Sequence, residues 1–327
     1  MKRHPLPRRA LLGALAAAAL APAAHAQAAW IPGRPVRLII PWPPGGTTDT
    51  LGRLLATSLA EGTGGSTVVE NRAGAGGIVG TEAMVRSAPD GHTLGMIIST
   101  HAANASLVER LPFDPIRDVQ PIALIARAPN IITVHASSPI RTLAELVAAS
   151  RAAPGGLAYA TSGIGTGNHF AGELLRLRTG AALNHVPYRG GAPAATDAVA
   201  NNVPVMVGAF AVTLPHVQSG ALRALAVTGA ERAALLPDVP TVAESGLPGF
   251  EVVEWYGLAA PAGLPEPVRA RWEAEALRFA AKPEILSRAT ALGIEMAPMG
   301  TAAFAPFVAA EVAKFREIVR ATGITAG

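Results

Sequence analysis

The chain predicts an α/β protein of two lobes, each a mostly parallel sheet flanked by helices. Two observations carry this reading. Short β-branched runs alternate with helical patterns along most of the length, a rhythm that pairs strands in parallel through crossover helices. The rhythm also starts afresh near residue 130, and 327 residues give length for two domains.

In the first series, "VRLIIPW" (36–42) reads as a strand, and Leu51, Leu54, Leu55 and Leu59 follow at helical spacing. "STVVEN" (66–71) is a second strand, "GIVGTEAMVRSA" a helix and "HTLGMIIST" (92–100) a third strand. The second series opens at "NIITVHASSP" (130–139), where Ser138 reads as a helix N-cap with Pro139 beside it. "GLAYATSG", "NHVPYRGG" and "VPVMVGAF" read as strands, each leading into a helix: "NHFAGELLRLRTG", "APAATDAVANN" and the short "TLPHVQSG", which Gly220 closes. "LRALAVTG" (222–229) and "WYGLAAPAG" (255–263) are again strands. The remainder reads as mainly helical, with Phe307, Val308, Val312, Phe315 and Val319 along one side. Crossings around 128–134 and 224–229 would make one lobe from 27–128 and 229–327 and the other from 129–228.

The first 26 residues distort every average. A basic head with Lys2, Arg3, Arg8 and Arg9, an Ala-rich apolar centre and a small-x-small site at Ala24-His25-Ala26 form an export signal, cut near Ala26. Arg8-Arg9 followed by Leu11-Leu12 partly fits twin-arginine export and leaves the route open. The whole chain has 27 Lys and Arg against 23 Asp and Glu. Four of those bases and none of the acids lie in the signal, so the mature chain is formally neutral. Neutrality and the lack of a basic run argue against nucleic acid as a partner. The absence of cysteine excludes a lipid-anchored N-terminus, thiol catalysis and thiolate metal sites.

Three loops could carry function. In "LIIPWPPGGTTD" (38–49), a strand ends in prolines and glycines at the mouth of a helix, at the crevice end of a parallel sheet. Gly45 and Gly46 allow close backbone approach, Thr47, Thr48 and Asp49 can cap the helix, and its first N–H groups favour an anion. Pro44 and its neighbours stiffen the loop, and Trp42 could form an apolar wall. A purely structural strand–helix turn around a buried Trp fits the same stretch. "YATSGIGTGNH" (159–169) is a counterpart in the other lobe, with Thr161, Ser162, Gly165 and Thr166 at a helix start. His169 there reads as loop support rather than as an acid–base group. "ENRAGAGGIVG" (70–80) contributes a third loop through Gly76 and Gly77; its Gly74, Gly76 and Gly80 also fit a weak dinucleotide fingerprint.

No P-loop, HExxH or GxSxG motif is present, and the six histidines outside the signal are scattered, so no metal, cofactor or base–nucleophile pair is expected. The reading is of a binder of a small organic acid and not an enzyme. An exported α/β oxidoreductase using a nicotinamide cofactor, and a ligand-sensing subunit for a receptor, are the rivals.

Taken in order, "RPVRLIIPWPPGGTTDTLGRLLA", "VVENRAGAGGIVGTEAMVRSAPDGHTL", "LPFDPIRDVQPIALIA", "HVPYRGGAPAATD", "LRALAVTGAERAALLPDVPTVAESGLPGFE" and "WYGLAAPAGLP" resemble the solute-binding proteins of tripartite tricarboxylate transporters, the Bordetella uptake gene (Bug) group. The resemblance spans nearly the whole mature chain. It implies a two-lobed periplasmic binding protein, type 2-like, that closes on a small carboxylate and delivers it to a large and a small membrane subunit, acting as a monomer. It carries contact with a ligand carboxylate onto Pro44, Gly45, Gly46, Thr47 and Asp49, and a second-lobe role onto Thr161, Gly163, Gly165, Thr166 and His169. Two departures stand out: Trp42 where many relatives have Phe, and Gly208 where an Asp is frequent.

Overall fold

The computed structural model describes residues 30–325; the export signal expected at 1–26 lies outside them. Strands β1 (Val36–Ile40), β2 (Thr67–Asn71) and β3 (Thr93–Ile98) alternate with helices α1 (Thr47–Thr63), α2 (Ile78–Val85) and α3 (Ser99–Leu107). Next come β4 (Val119–His135), α4 (Leu143–Ala152), β5 (Leu157–Thr161), α5 (Gly167–Thr179), β6 (Leu183–Pro187), α6 (Gly191–Val199), β7 (Val205–Ala209), α7 (Phe210–Gln218) and β8 (Leu222–Val227). The chain ends with β9 (Val253–Pro261), α8 (Glu266–Ala280), α9 (Pro283–Ala291), β10 (Glu295–Gly300) and α10 (Thr301–Thr322).

The strand order is β2-β1-β3-β9-β4-β7-β5-β6, with β8 and β10 also paired to β4. Pairing is parallel at the flanks, where crossover helices join β1 to β2 and β3 and join β5 to β6 and β7. It is antiparallel wherever β4 or β9 takes part. The sheet is therefore mixed, because the long strands that tie the two parts together run against their neighbours. β4 is 17 residues long. Val119–Pro129 pairs with β9, and Asn130–His135 pairs with β7 and β8.

A polar knot fixes the change of partner. Asn130 is fully buried, and its N–H donates to the Thr228 hydroxyl at 2.8 Å. That hydroxyl donates in turn to the Val252 carbonyl at 2.6 Å. Backbone bonds from Thr228 N–H to Asn130 carbonyl and from Val252 N–H to Thr228 carbonyl, both 3.0 Å, close the ring. Three chain segments are thus pinned at one point, with every bond made away from water.

Apolar packing joins the parts a second time. On one side of β9, Trp255 meets Phe304 of α10 edge-on at 5.8 Å and 83°. Its indole N–H donates to Glu311 at 3.0 Å. Further along α10, Phe315 packs on Phe170 of α5 at 4.5 Å. The sided pattern Phe307, Val308, Val312, Phe315 foretold a helix buried along one face, and α10 is that helix.

Three local expectations need correction. The helix after residue 138 starts later: Thr142 accepts from Glu145 N–H at 3.2 Å while Glu145 accepts from Arg141 N–H at 2.6 Å, so a T-x-x-E box outcompetes Ser138. Ser138 instead accepts from Ile140 N–H. The third strand stops at Ile98, and Ser99 and Thr100 belong to α3. The tail is not mainly helical throughout, since Glu295–Gly300 form an edge strand on β4.

Replacing Thr228 with Val keeps the shape but leaves the buried Asn130 N–H without an acceptor. We expect about 1–3 kcal/mol loss of unfolding free energy, read by urea denaturation. No loss would mean the knot is dispensable.

Candidate functional site

The loop after β1 is held open from within. Gly45 has φ +90, a conformation that L side chains resist, and its N–H donates to Asp49 Oδ2 at 3.0 Å. The same oxygen accepts from Arg53 Nε at 3.0 Å, and Asp49 Oδ1 accepts from Asn71 at 2.8 Å. Asn71 also donates to the Trp42 carbonyl at 3.0 Å. Burial pushes the Asp49 carboxyl up, but the bonds from Arg53, Gly45 and Asn71 outweigh it and hold the group below the ordinary carboxylate range. Asp49 is therefore an ionised brace inside the loop, and Thr48 is buried beside it.

Gly46 is the N-cap of α1, and no side chain caps that helix. A Cβ on Gly46 would meet nothing within 4 Å, so its side faces open space. With Pro43, Pro44 and Gly45 exposed around it, the first turn of α1 presents its N–H groups outward. Thr47 is half-buried and close enough to Tyr256 to influence its hydroxyl.

The third loop is built on consecutive positive φ values at Gly74 (149), Ala75 (45), Gly76 (61) and Gly77 (93). Asn104 of α3 donates to the Gly76 carbonyl at 3.0 Å and fixes the turn. A Cβ on Gly77 would stand 3.7 Å from Trp42 Nε1, so this loop and the first one touch. That indole N–H is buried and has no hydrogen-bond partner among the described residues. A buried donor of this kind is costly to leave unmet, so Trp42 supplies a donor as well as an apolar wall.

Across the sheet, the loop after β5 is knitted by its own side chains. Asn168 donates to Ser162 Oγ at 3.0 Å and accepts from Ser162 N–H at 3.2 Å. Thr166 caps α5, its hydroxyl accepting from His169 N–H. Thr161 is buried, with its hydroxyl against His185 Nε2 at 2.6 Å. His169 is also buried; its Nδ1 accepts from Gly165 N–H at 3.2 Å, and its ring stacks on His185 at 3.8 Å. Thr161 and His169 thus brace the loop, while Ser162 and Thr166 remain partly exposed.

The two sides meet at points the sequence reading missed. A Cβ on Gly165 would come within 2.8 Å of Leu107 at the end of α3. Between them stands Glu254, with Oε1 accepting from Gly167 N–H of α5 at 2.8 Å and Oε2 accepting from the Ser99 hydroxyl of α3. Burial pushes the Glu254 carboxyl up, and the Ser99 and Gly167 bonds oppose that rise. Tyr256, two residues on, is pushed above the ordinary phenol range by burial and by Glu254. One cue was legible: Glu254 is the single charged residue in an otherwise apolar strand. Gly208 lies in β7, where a Cβ would fall 2.2 Å from Thr213 Oγ1. A separate cavity of about 400 Å³ lies among Arg127, Phe210, Leu235, Val253 and Ile294. The antiparallel register puts Arg127 and Val253 on the face of the strands opposite Glu254 and Tyr256.

A sheet that changes partners along one strand, with a donor-rich loop at a helix start on each side, defines a two-lobed solute-binding protein of the α/β type. The comparisons agree. A model described as "Tripartite tricarboxylate transporter family receptor" matches residues 51–324, and the chain belongs to that family. Protein BugT of Bordetella pertussis is 36% identical over 306 residues, which is 92% of this chain and 93% of the relative. Rhodopseudomonas palustris Rpa4515, solved with adipate, superposes with a TM-score of 0.81 at 32% identity, over 90% of this chain and 99% of that one. MatC of the same organism, with bound malate, gives 0.77 at 31% identity, over 88% and 100%.

His101, His169 and His185 are each lowered to about 4, all three chiefly by burial. They are neutral in the folded protein at neutral pH. Below the ordinary value of 6.5 the unfolded chain takes up protons that the folded one refuses, so stability falls as pH drops from 6.5 toward about 4. Urea midpoints measured at about pH 7 and about pH 5 should show that fall, and His185→Gln should flatten it.

Proposed function

We propose that this chain is a periplasmic receptor that captures a small carboxylate between two lobes and delivers it to the large and small membrane subunits of a tripartite transporter. The observation that carries this is the uncapped first turn of α1, opening on free space at Gly46 beside a loop braced by a buried, ionised Asp49. Backbone N–H groups and the helix dipole there bind an anion without a formal positive charge. Trp42 Nε1 adds an unmet donor, and Ser162 and Thr166 add hydroxyls from the opposite side. The family and the relatives holding adipate and malate support a carboxylate as cargo.

The lobes are taken as 27–128 with 229–327 against 129–228, the chain pivoting at the Asn130–Thr228–Val252 knot. Closure about that pivot removes the anion from water and strengthens its hydrogen bonds. Asp49 and His169 are braces within their loops, and the protein binds its ligand and leaves it chemically unchanged. It acts as a monomer, exported by a leader cleaved near Ala26. Among the described residues no helix is long and apolar enough to cross a membrane.

A thermal-shift screen of small organic acids should find at least one that raises the melting temperature in proportion to the logarithm of its concentration. A flat response to every acid would count against the carboxylate reading.

Gly46→Val should weaken binding of that acid by about tenfold or more in calorimetry, because the new side chain fills the approach to the N–H groups. The melting temperature of the free protein should hardly move, since the added atoms enter open space. Unchanged affinity would remove the first loop from the site.

A further inference from the structure

β9 is buried along its whole length, and Glu254 is its one charge. Burying a carboxylate is unfavourable unless its oxygens are well met. Here each oxygen takes one donor: Gly167 N–H, which opens α5, and the Ser99 hydroxyl, which opens α3. The first of these helices follows β5, in the part of the sheet with β7, and the second follows β3, in the part with β9. Tyr256 shares the face of Glu254, and its phenol is close enough to Thr47, at the start of α1, to feel it. Glu254 is thus the floor between the two candidate loops.

Resting on the carboxylate reading above, we propose that Glu254 determines specificity: it occupies the Ser99 and Gly167 donors itself, so the bound acid places its one carboxylate at the Gly45–Gly46 loop and presents a hydrogen-bond donor, an amide or ammonium group, toward Glu254. A carboxylate accepts at about four lone-pair positions, and two are filled here. The remaining positions can take an N–H from a ligand. A second ligand carboxylate would set acceptor against acceptor and crowd two acids into one desolvated space, where both cannot ionise freely. Gly208 offers no competing group on the other side. Discrimination therefore comes from repulsion built into the floor as much as from attraction at the loop.

The test is calorimetry of the full mature chain with matched pairs: succinate and succinamate, glutarate and glutaramate, adipate and adipamate. Wild type should bind the acid-amide of the best-fitting pair about tenfold or more tightly than its diacid. Glu254→Gln keeps an oxygen for the Gly167 N–H and should narrow or invert that ratio. Should the variant fold poorly by circular dichroism, the wild-type ratio alone decides. Diacid binding equal to or tighter than acid-amide binding in wild type overturns the assignment of Glu254 while leaving the carboxylate reading intact. A ratio unchanged in a well-folded Glu254→Gln overturns it as well. Failure of every pair to bind wild type overturns both.

Discussion

Because β4 belongs to both parts of the sheet, its hydrogen bonds must be satisfied by β9 and β10 over its first stretch and by β7 and β8 over its last. Neither part can move without bending that strand. At the change of partner, Asn130, Thr228 and Val252 hold three segments in one buried ring. Leaving any of those groups unpaired away from water would be costly, so the ring fixes the three segments relative to one another. The loops after β1 and β5 inherit their positions from this arrangement, each set at the end of a strand that is indexed to β4 through the sheet.

The chemistry of the cleft follows a division of labour. Charged and titratable groups brace the loops from behind: Asp49 with Arg53 and Asn71 on one side, the neutral pair His169 and His185 on the other. Around them lie the uncapped first turn of α1 and the partly exposed Ser162 and Thr166, with the buried Trp42 N–H unmet behind the first loop. Donors fixed in this way need no reorganisation when an anion arrives, so little of the binding energy goes into ordering the site. Glu254 is the exception, a carboxylate left in the floor and satisfied from both sides at once.

Much of this was legible in the sequence, and the reasons for the rest are physical. The alternating pattern placed the strands around Leu38, Val69, Tyr159 and Met206, because buried parallel strands read as apolar runs. The first and second loops announced themselves through Pro, Gly and small polar residues at helix starts. The antiparallel pairings of β4 and β9 were not legible, since strand direction leaves no mark in residue pattern. Ser138 lost the cap to Thr142 because Glu145 lies three residues beyond Thr142 and closes the box. Residues that matter by meeting across the fold, such as Ser99, Asn104 and Glu254, lie far apart in the chain and are joined only by topology. The bracing bonds of Asp49 to Gly45, Arg53 and Asn71 were not legible, because a residue type alone does not say which neighbours its side chain meets.

The chain contains four tryptophans. Trp255 and Trp272 are sealed in the interior, their N–H groups given to Glu311 and to the Gly91 carbonyl. Trp42 sits partly exposed in the first loop, its N–H unspent. Indole emission shifts when its nitrogen gains a partner and when water leaves its ring. The molecule therefore carries an optical reporter in its first loop, read against two sealed tryptophans and the partly exposed Trp30.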